Sequence, residues 1–261
     1  HRIKRDRWVQ FIASSNGGSH VAIGGVSSEV SILDVDRGWD TAINVGLKGL
    51  VPLSAKWHPQ DQYLVVTGQN NSVLAVETTN ARYVPGHFLR SVSPILAIEF
   101  SPDGRMAAIG NEAGVVTIFK LSGTTFITTY ELVLDGDGSL AIEWSSNGAF
   151  LAVIAGSKVV IIARSNLRPA SAPPNASGFH VAQVIRDFGL VHDVAISPKC
   201  RFLAISGKGK TRFLDASAHF KCVLEVENNG TTLANSWSPD GSWFATIGKN
   251  QHLLIYDTSS P

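Results

Sequence analysis

The 261-residue sequence predicts an all-β fold, a β-propeller of four-stranded antiparallel blades. Three observations carry that expectation. An aromatic or aliphatic residue followed by a polar turn and a short apolar run recurs six times, most clearly as Phe100-Ser101-Pro102-Asp103-Gly104 and Trp237-Ser238-Pro239-Asp240-Gly241. The copies recur at a blade-like period of roughly 40 to 45 residues, too short for a unit that could bury both its faces alone. No stretch has a helical hydrophobic period, whereas short apolar runs bounded by Gly, Pro, Asn and Ser abound.

Six copies are legible. The first starts near Trp8, turns through Ser14 to Gly18, and continues with strands at His20 to Gly24 and Glu29 to Leu33. First strands of the later copies end at Trp57, Phe100, Trp144, Ile196 and Trp237, spaced 43, 44, 52 and 41 residues apart. In the third copy the three strands are Ile95 to Phe100, Met106 to Gly110 and Val115 to Phe119. Alternating runs at Phe126 to Leu134 and Phe220 to Val226 read as outer fourth strands, whose polar face suits an exposed blade edge. The wide spacing of 52 is explained by a flexible loop insertion at 165–178, rich in Pro, Ser and Ala. The sixth copy lacks an outer strand. Residues 1–261 therefore read as one propeller domain, and the missing strand and initiator Met lead to the expectation of an excerpt from a longer chain.

Composition narrows the function. Lys and Arg number 22 against 21 Asp and Glu, so no global field demands nucleic acid or an acidic membrane, and any electrostatic preference is local. The longest apolar runs, such as Leu151 to Ala155 and Val159 to Ala163, are a strand long, far short of the roughly 20 residues of a membrane helix. Cys200 replaces a turn glycine and Cys222 lies in the following outer strand, which separates them across the blade. Free thiols are expected, and with them an intracellular, cytoplasmic or nuclear, location.

Ile98-Glu99-Phe100-Ser101-Pro102-Asp103-Gly104 and Ile142-Glu143-Trp144-Ser145-Ser146-Asn147-Gly148, followed by Ala107 to Gly110 and Leu151 to Ile154, resemble WD-repeat propeller blades over nearly the whole chain. In that family the third strand ends in Trp-Asp. The matching pairs here are Leu33-Asp34, Val76-Glu77, Phe119-Lys120, Ile162-Ala163, Leu214-Asp215 and Tyr256-Asp257, which keep the bulky apolar anchor and lose the Trp. Trp39-Asp40 falls in a loop, and the family's Gly-His pair occurs once, as Gly86-His87. The family's buried His-Asp network is not matched, so apolar packing is expected to carry blade stability. Seven blades are frequent in the family, and the resemblance implies that six visible copies are part of such a ring.

No motif carries catalysis. The histidines are scattered without metal-ligand spacing, Asp135 to Ser139 lacks the later ligands of a calcium loop, and Gly207 to Thr211 lacks the helix that a phosphate loop needs. No catalytic, cofactor or metal residue is assigned. Trp57, Trp144 and Trp237 are expected in the core between blades. The resemblance places the turns between second and third strands on one face. Copies one to three contribute Ser28, Glu29, Gln69, Asn70, Asn71, Asn111 and Glu112 there, and copies four to six contribute Lys158, Lys208, Lys210, Lys249, Asn250 and His252, with Arg186 in the loop entering blade five. The chain is thus read as a non-catalytic scaffold or adaptor for protein or peptide partners, a subunit of a larger assembly. The alternative is an anionic ligand, whether phosphorylated peptide, lipid headgroup or nucleic acid, held by the lysine-bearing arc. Nucleic acid is the weaker candidate, since four lysines neutralise few phosphates.

Overall fold

The computed structural model describes residues 8–39, 42–47, 49–69, 71–78, 84–122, 125–134, 139–165, 178–186, 188–249 and 252–258. The chain forms two compact units, His1–Gly138 and Ser139–Pro261. The Asp135 to Gly138 segment and nearly all of the 165–178 insertion lie outside the described residues. The ends of that insertion meet, with the Ser165 amide donating to the Gly178 carbonyl at 2.5 Å.

The first unit holds three antiparallel four-stranded sheets, each in simple meander order. Blade one is β1 (Val9–Ser14), β2 (His20–Gly25), β3 (Glu29–Asp34) and β4 (Ala42–Gly46). Blade two is β5 (Pro52–Trp57), β6 (Tyr63–Gly68), β7 (Ser72–Glu77) and β8 (Val84–Arg90). Blade three is β9 (Ile95–Phe100), β10 (Met106–Asn111), β11 (Val115–Ser122) and β12 (Thr125–Val133). Gly86-His87 thus lies in an outer strand.

The second unit begins with blade four, β13 (Ser139–Trp144), β14 (Phe150–Ala155), β15 (Lys158–Arg164) and β16 (Phe179–Ile185). A continuous sheet of β17 (Val191–Ile196), β18 (Phe202–Asp215), β19 (Lys221–Trp237), β20 (Trp243–Gly248) and β21 (Leu253–Asp257) follows. Two of these strands do double duty. β18 turns at Gly209, whose φ of +82° suits only glycine, so that its first half pairs with β17 and its second half with β19. β19 completes blade five with Lys221 to Glu227 and then opens blade six with Thr232 to Trp237, paired to β20. Among the described residues blade six has three strands.

Middle strands are mostly apolar because they are covered on both faces, and every residue of β14 is buried. Ile32, Leu47, Leu64 and Leu74 pack blades one and two together. Val65, Val73, Ile98 and Phe100 join blades two and three. In the second unit Ile154, Ile161, Phe188, Leu203 and Ile205 fill the space between blades four and five, and Phe213 and Phe244 that between five and six. Trp57 and Trp144 are buried as expected, but Trp237 is only partly so. The reason is its place at the less covered blade six, where it packs on Phe213 and Phe244. Trp57 and Trp237 still make the same bridge, each indole N–H donating to a first-strand carbonyl one blade back, Ala13 at 2.9 Å and Ala195 at 3.1 Å.

The recurrent serine explains the recurrent turn. Ser145 accepts the Phe150 amide at 3.0 Å and its hydroxyl lies 2.8 Å from the Phe150 carbonyl, while Asn147 caps the Ala149 amide. Ser101, Ser197 and Ser238 accept the corresponding amides of Met106, Phe202 and Trp243. Gly104, at φ +69°, allows the reversal, and Cys200 adopts the same left-handed conformation at +55°. Blade two puts His58 where the others have serine. Its ring is buried edge-on between Tyr63 and Phe100, with Nε2 3.1 Å from the Gly104 carbonyl. Both cysteines are free.

Polar pins supplement the apolar packing. Asp61 of blade two accepts the amides of Asn16 and Gly17 from blade one, and Lys56 meets Glu99 of blade three at 2.6 Å. In the second unit Glu143 accepts the Ile196 amide and Asp193 accepts the Asn235 amide. Where β19 crosses from blade five to six, the Asn228 side-chain amide donates to Thr211 and Thr232, Thr211 meets Ser206, and the Tyr256 hydroxyl donates to Asn228. All but Tyr256 are buried.

Three outcomes are expected. Ser145→Ala removes a fully buried hydroxyl and leaves the Phe150 amide without its acceptor, which should cost about 1–3 kcal/mol by urea denaturation. Asn228→Ala leaves the Tyr256 hydroxyl without its partner, takes one bond each from Thr211 and Thr232, and should cost a similar amount, again about 1–3 kcal/mol, with loss of the near-ultraviolet signal of blade six. Burial lowers the His58 pKa, outweighing the pull of the Gly104 carbonyl and Asp61. The unfolded chain therefore binds the proton first, and stability should fall as pH drops below the ordinary histidine value of 6.5. The urea midpoint of His58→Gln should change less across that window than that of the unsubstituted protein.

Candidate functional site

The cationic turns expected on one face all lie in the second unit, and the backbone dictates where each one goes. Lys158 opens β15 after a two-residue turn in which Gly156 has φ +58°, and it faces Ala155 across the ladder. The Gly156 carbonyl accepts the Val191 amide at 3.3 Å, which ties the turn of blade four to the entry of blade five. Arg186 is exposed just beyond β16. Two residues later Phe188 turns inward and is only 3% exposed.

Phe188 collects two cations. Lys210 Nζ lies 5.5 Å and Arg212 Cζ 5.3 Å from its ring centre. Both also reach Glu225 on the facing half of β19, Lys210 at 3.5 Å and Arg212 through Nε. The hydrogen bond from Arg212 holds the Glu225 carboxyl below its ordinary pKa. Lys210 is therefore not the freely projecting cation expected from its turn. Strand alternation points it, with Arg212, at an acid across the ladder. Phe188, Arg212 and Glu225 were missed because turns were read without their outer-strand partners, although Lys210 and Arg212 opposite Glu225 and Glu227 is a legible pattern.

Lys208 and Lys249 behave differently. Lys208 is the ladder partner of Thr231, and the Lys249 amide donates to the Thr231 carbonyl at 2.9 Å. The short crossing segment of β19 thus brings lysines of two successive turns to either side of one residue. Both are exposed, and among the described residues neither has a carboxylate partner. His252, also exposed, closes the blade six turn by accepting the Gly248 amide on its carbonyl. Asn250 and Asn70 lie outside the described residues. Asn111, expected on the face of the first unit, is buried instead. Its side chain caps the Val115 amide and donates to Ser91.

Among the described residues the partly buried acids do not converge on one point. Desolvation raises the pKa of Glu99, opposed by Lys56, and likewise that of Asp193, opposed by the Asn235 and Val194 amides. Each carboxylate is spent on a neighbouring blade. Among the described residues no three His, Cys, Asp or Glu side chains approach closely enough to share a metal ion, and no helix is long and apolar enough to cross a membrane.

No protein-family model and no curated protein matches the sequence. Solved structures do. The β-propeller domain of Cps50 (Swd1) from Myceliophteria thermophila is similar over 98% of this chain and 85% of that one, with a TM-score of 0.77 and 16% identity. A chain of a mitotic checkpoint complex is similar over 98% of this chain and 76% of that one, with a TM-score of 0.78 and 16% identity. Four-stranded meanders, serine-headed turns and this likeness together give the chain the fold of a WD-repeat β-propeller.

Proposed function

We propose that the chain is a non-catalytic scaffold that docks an acidic or phosphorylated segment of a protein partner on the turns of blades five and six. One observation carries the reading, the placing of Lys208 and Lys249 around Thr231 with no carboxylate among the described residues paired to either. A pair of ammonium groups on rigid turns offers up to six donors to one anionic group, with little ordering cost. Lys158 and Arg186, on the adjoining turn and entry loop, extend the same arc toward blade four. Occurrence of the fold in a chain of a checkpoint complex supports assembly as its use. In this reading residues 1–261 work as one platform, 165–178 is a surface insertion, and the free Cys200 and Cys222 fit an intracellular setting.

The experiment compares capped peptides of glutamate, of phosphoserine and of neutral glutamine with anionic vesicles and single-stranded DNA. Binding of an acidic peptide should fall at least about ten-fold when Lys208 and Lys249 are both reversed to Glu, and should weaken with salt. The urea midpoint should stay put, since exposed charges contribute little to stability. Lys210→Ala, which breaks an internal pair, should weaken the same binding far less. Preference for vesicles or DNA over every peptide would replace this reading with the lipid or nucleic-acid one.

A further inference from the structure

At the opposite end of the same two blades, the first turns of blade five and blade six enclose a groove of about 290 Å³. One wall is made of donors. Lys199 sits exposed at the crest of the Ser197 turn and has no partner among the described residues. Arg201 is held in place by stacking. Its guanidinium carbon lies 4.7 Å from the Phe202 ring centre, and Phe202 is itself stacked on Trp237 with the planes 11° apart. Its Nε makes a long ion pair with Asp215 Oδ2 at 3.8 Å, while Ser217 donates its amide and hydroxyl to the other oxygen, Oδ1. The guanidinium is thus oriented by ring and acid, and among the described residues it donates no hydrogen bond.

The other wall is made of acceptors. Asp240 takes hydrogen bonds from the Ser238 hydroxyl and from both the amide and hydroxyl of Ser242, which hold its carboxyl ionised with a pKa of about 2. Ser242 and Thr258 both spend their hydroxyl protons internally, Thr258 on the Gly241 carbonyl, so each turns lone pairs outward as an acceptor. A cationic wall facing an anionic one selects a dipolar ligand. A dianionic phosphate drawn to Arg201 would meet the fixed charge of Asp240 in the same small space. A carboxylate accompanied by an ammonium or guanidinium would be paired on both sides.

We propose that this groove binds a protein segment bearing one acidic and one basic side chain, the acid on Lys199 and Arg201 and the base on Asp240, Ser242 and Thr258. The site is separate from the Lys208 and Lys249 turns and does not depend on their having a ligand.

The test is an NMR amide-shift titration of the folded chain with the capped peptide Ala-Glu-Ala-Arg-Ala, its Gln-for-Glu and Gln-for-Arg controls, a Glu-and-Arg peptide with one further intervening alanine, and inorganic phosphate. One of the two Glu-and-Arg peptides should shift the Lys199, Arg201, Gly241 and Ser242 amides. Each singly neutralised control should bind at least about five-fold more weakly, and phosphate should not compete. Lys199→Glu and Arg201→Gln should each weaken binding about ten-fold without moving the urea midpoint, whereas reversal of Lys208 and Lys249 should leave it unchanged. Equal binding of either control, competition by phosphate, or no shifts from any peptide at about 10 mM would overturn the proposal.

Discussion

Between Trp144 and Phe150 the chain reverses around one hydroxyl, that of Ser145, which serves the amide and carbonyl of the same residue across the hairpin. The arrangement fixes the register of the first two strands. In a strand buried on both faces a slip by one residue would exchange the side chains presented to the two neighbouring blades. It also fixes the residue just before the turn, and in blades two and six that residue is a tryptophan that reaches across to the preceding blade, Trp57 to Ala13 and Trp237 to Ala195. Local turn chemistry and packing between blades are thus one constraint. Blade two, with His58 in place of serine, keeps the backbone bridge through the His58 amide and the Tyr63 carbonyl, and uses the ring for packing.

Given that register, the first strands present their charged groups to one another. Lys56 and Glu99, Glu143 and the Ile196 amide, and Asp193 and the Asn235 amide each join adjacent blades at this inner position. Burying such groups is costly unless each is paired, and all three carboxylates are. What remains available for recognition lies at the strand ends. There the turns project groups that the ladder does not need, as Lys208 and Lys249 show on one end and Lys199 and Arg201 on the other.

Much of the fold was legible in the sequence because a turn motif such as Phe100 to Gly104 is local. Strand ends, blade spacing, and the outer strands after Phe126 and Phe220 all follow from signals within about ten residues. A second repeated feature escaped that reading. Every first strand carries a register shift near its start, between Pro52 and Ser54 in blade two and between Val191 and Asp193 in blade five, for example. A bulge is set by how the strand must twist to meet its neighbours, and an apolar run such as Leu53 or Leu96 looks the same with or without it. The site was legible in part for a related reason. Lysines in turns can be counted from sequence, but the pairing of Lys210 with Glu225, and the bringing of Lys208 and Lys249 to Thr231, depend on how strands pair across a crossing that Asn228-Asn229-Gly230 marks without setting its register.

That crossing has a mechanical consequence. Most repeat arrays have a joint between units, a loop that can stretch or be cut while the modules on either side stay intact. In β19 the joint shrinks to residues 228–230, which among the described residues have no ladder partner between Lys221 to Glu227 and Thr232 to Trp237, and Asn228 is itself bound to Thr211, Thr232 and Tyr256. Tension applied to the sixth blade is delivered directly into the ladder of the fifth, as shear along hydrogen bonds rather than as extension of a tether. The two blades then yield together or not at all, and a partner gripping both of them would be pulling on a single beam.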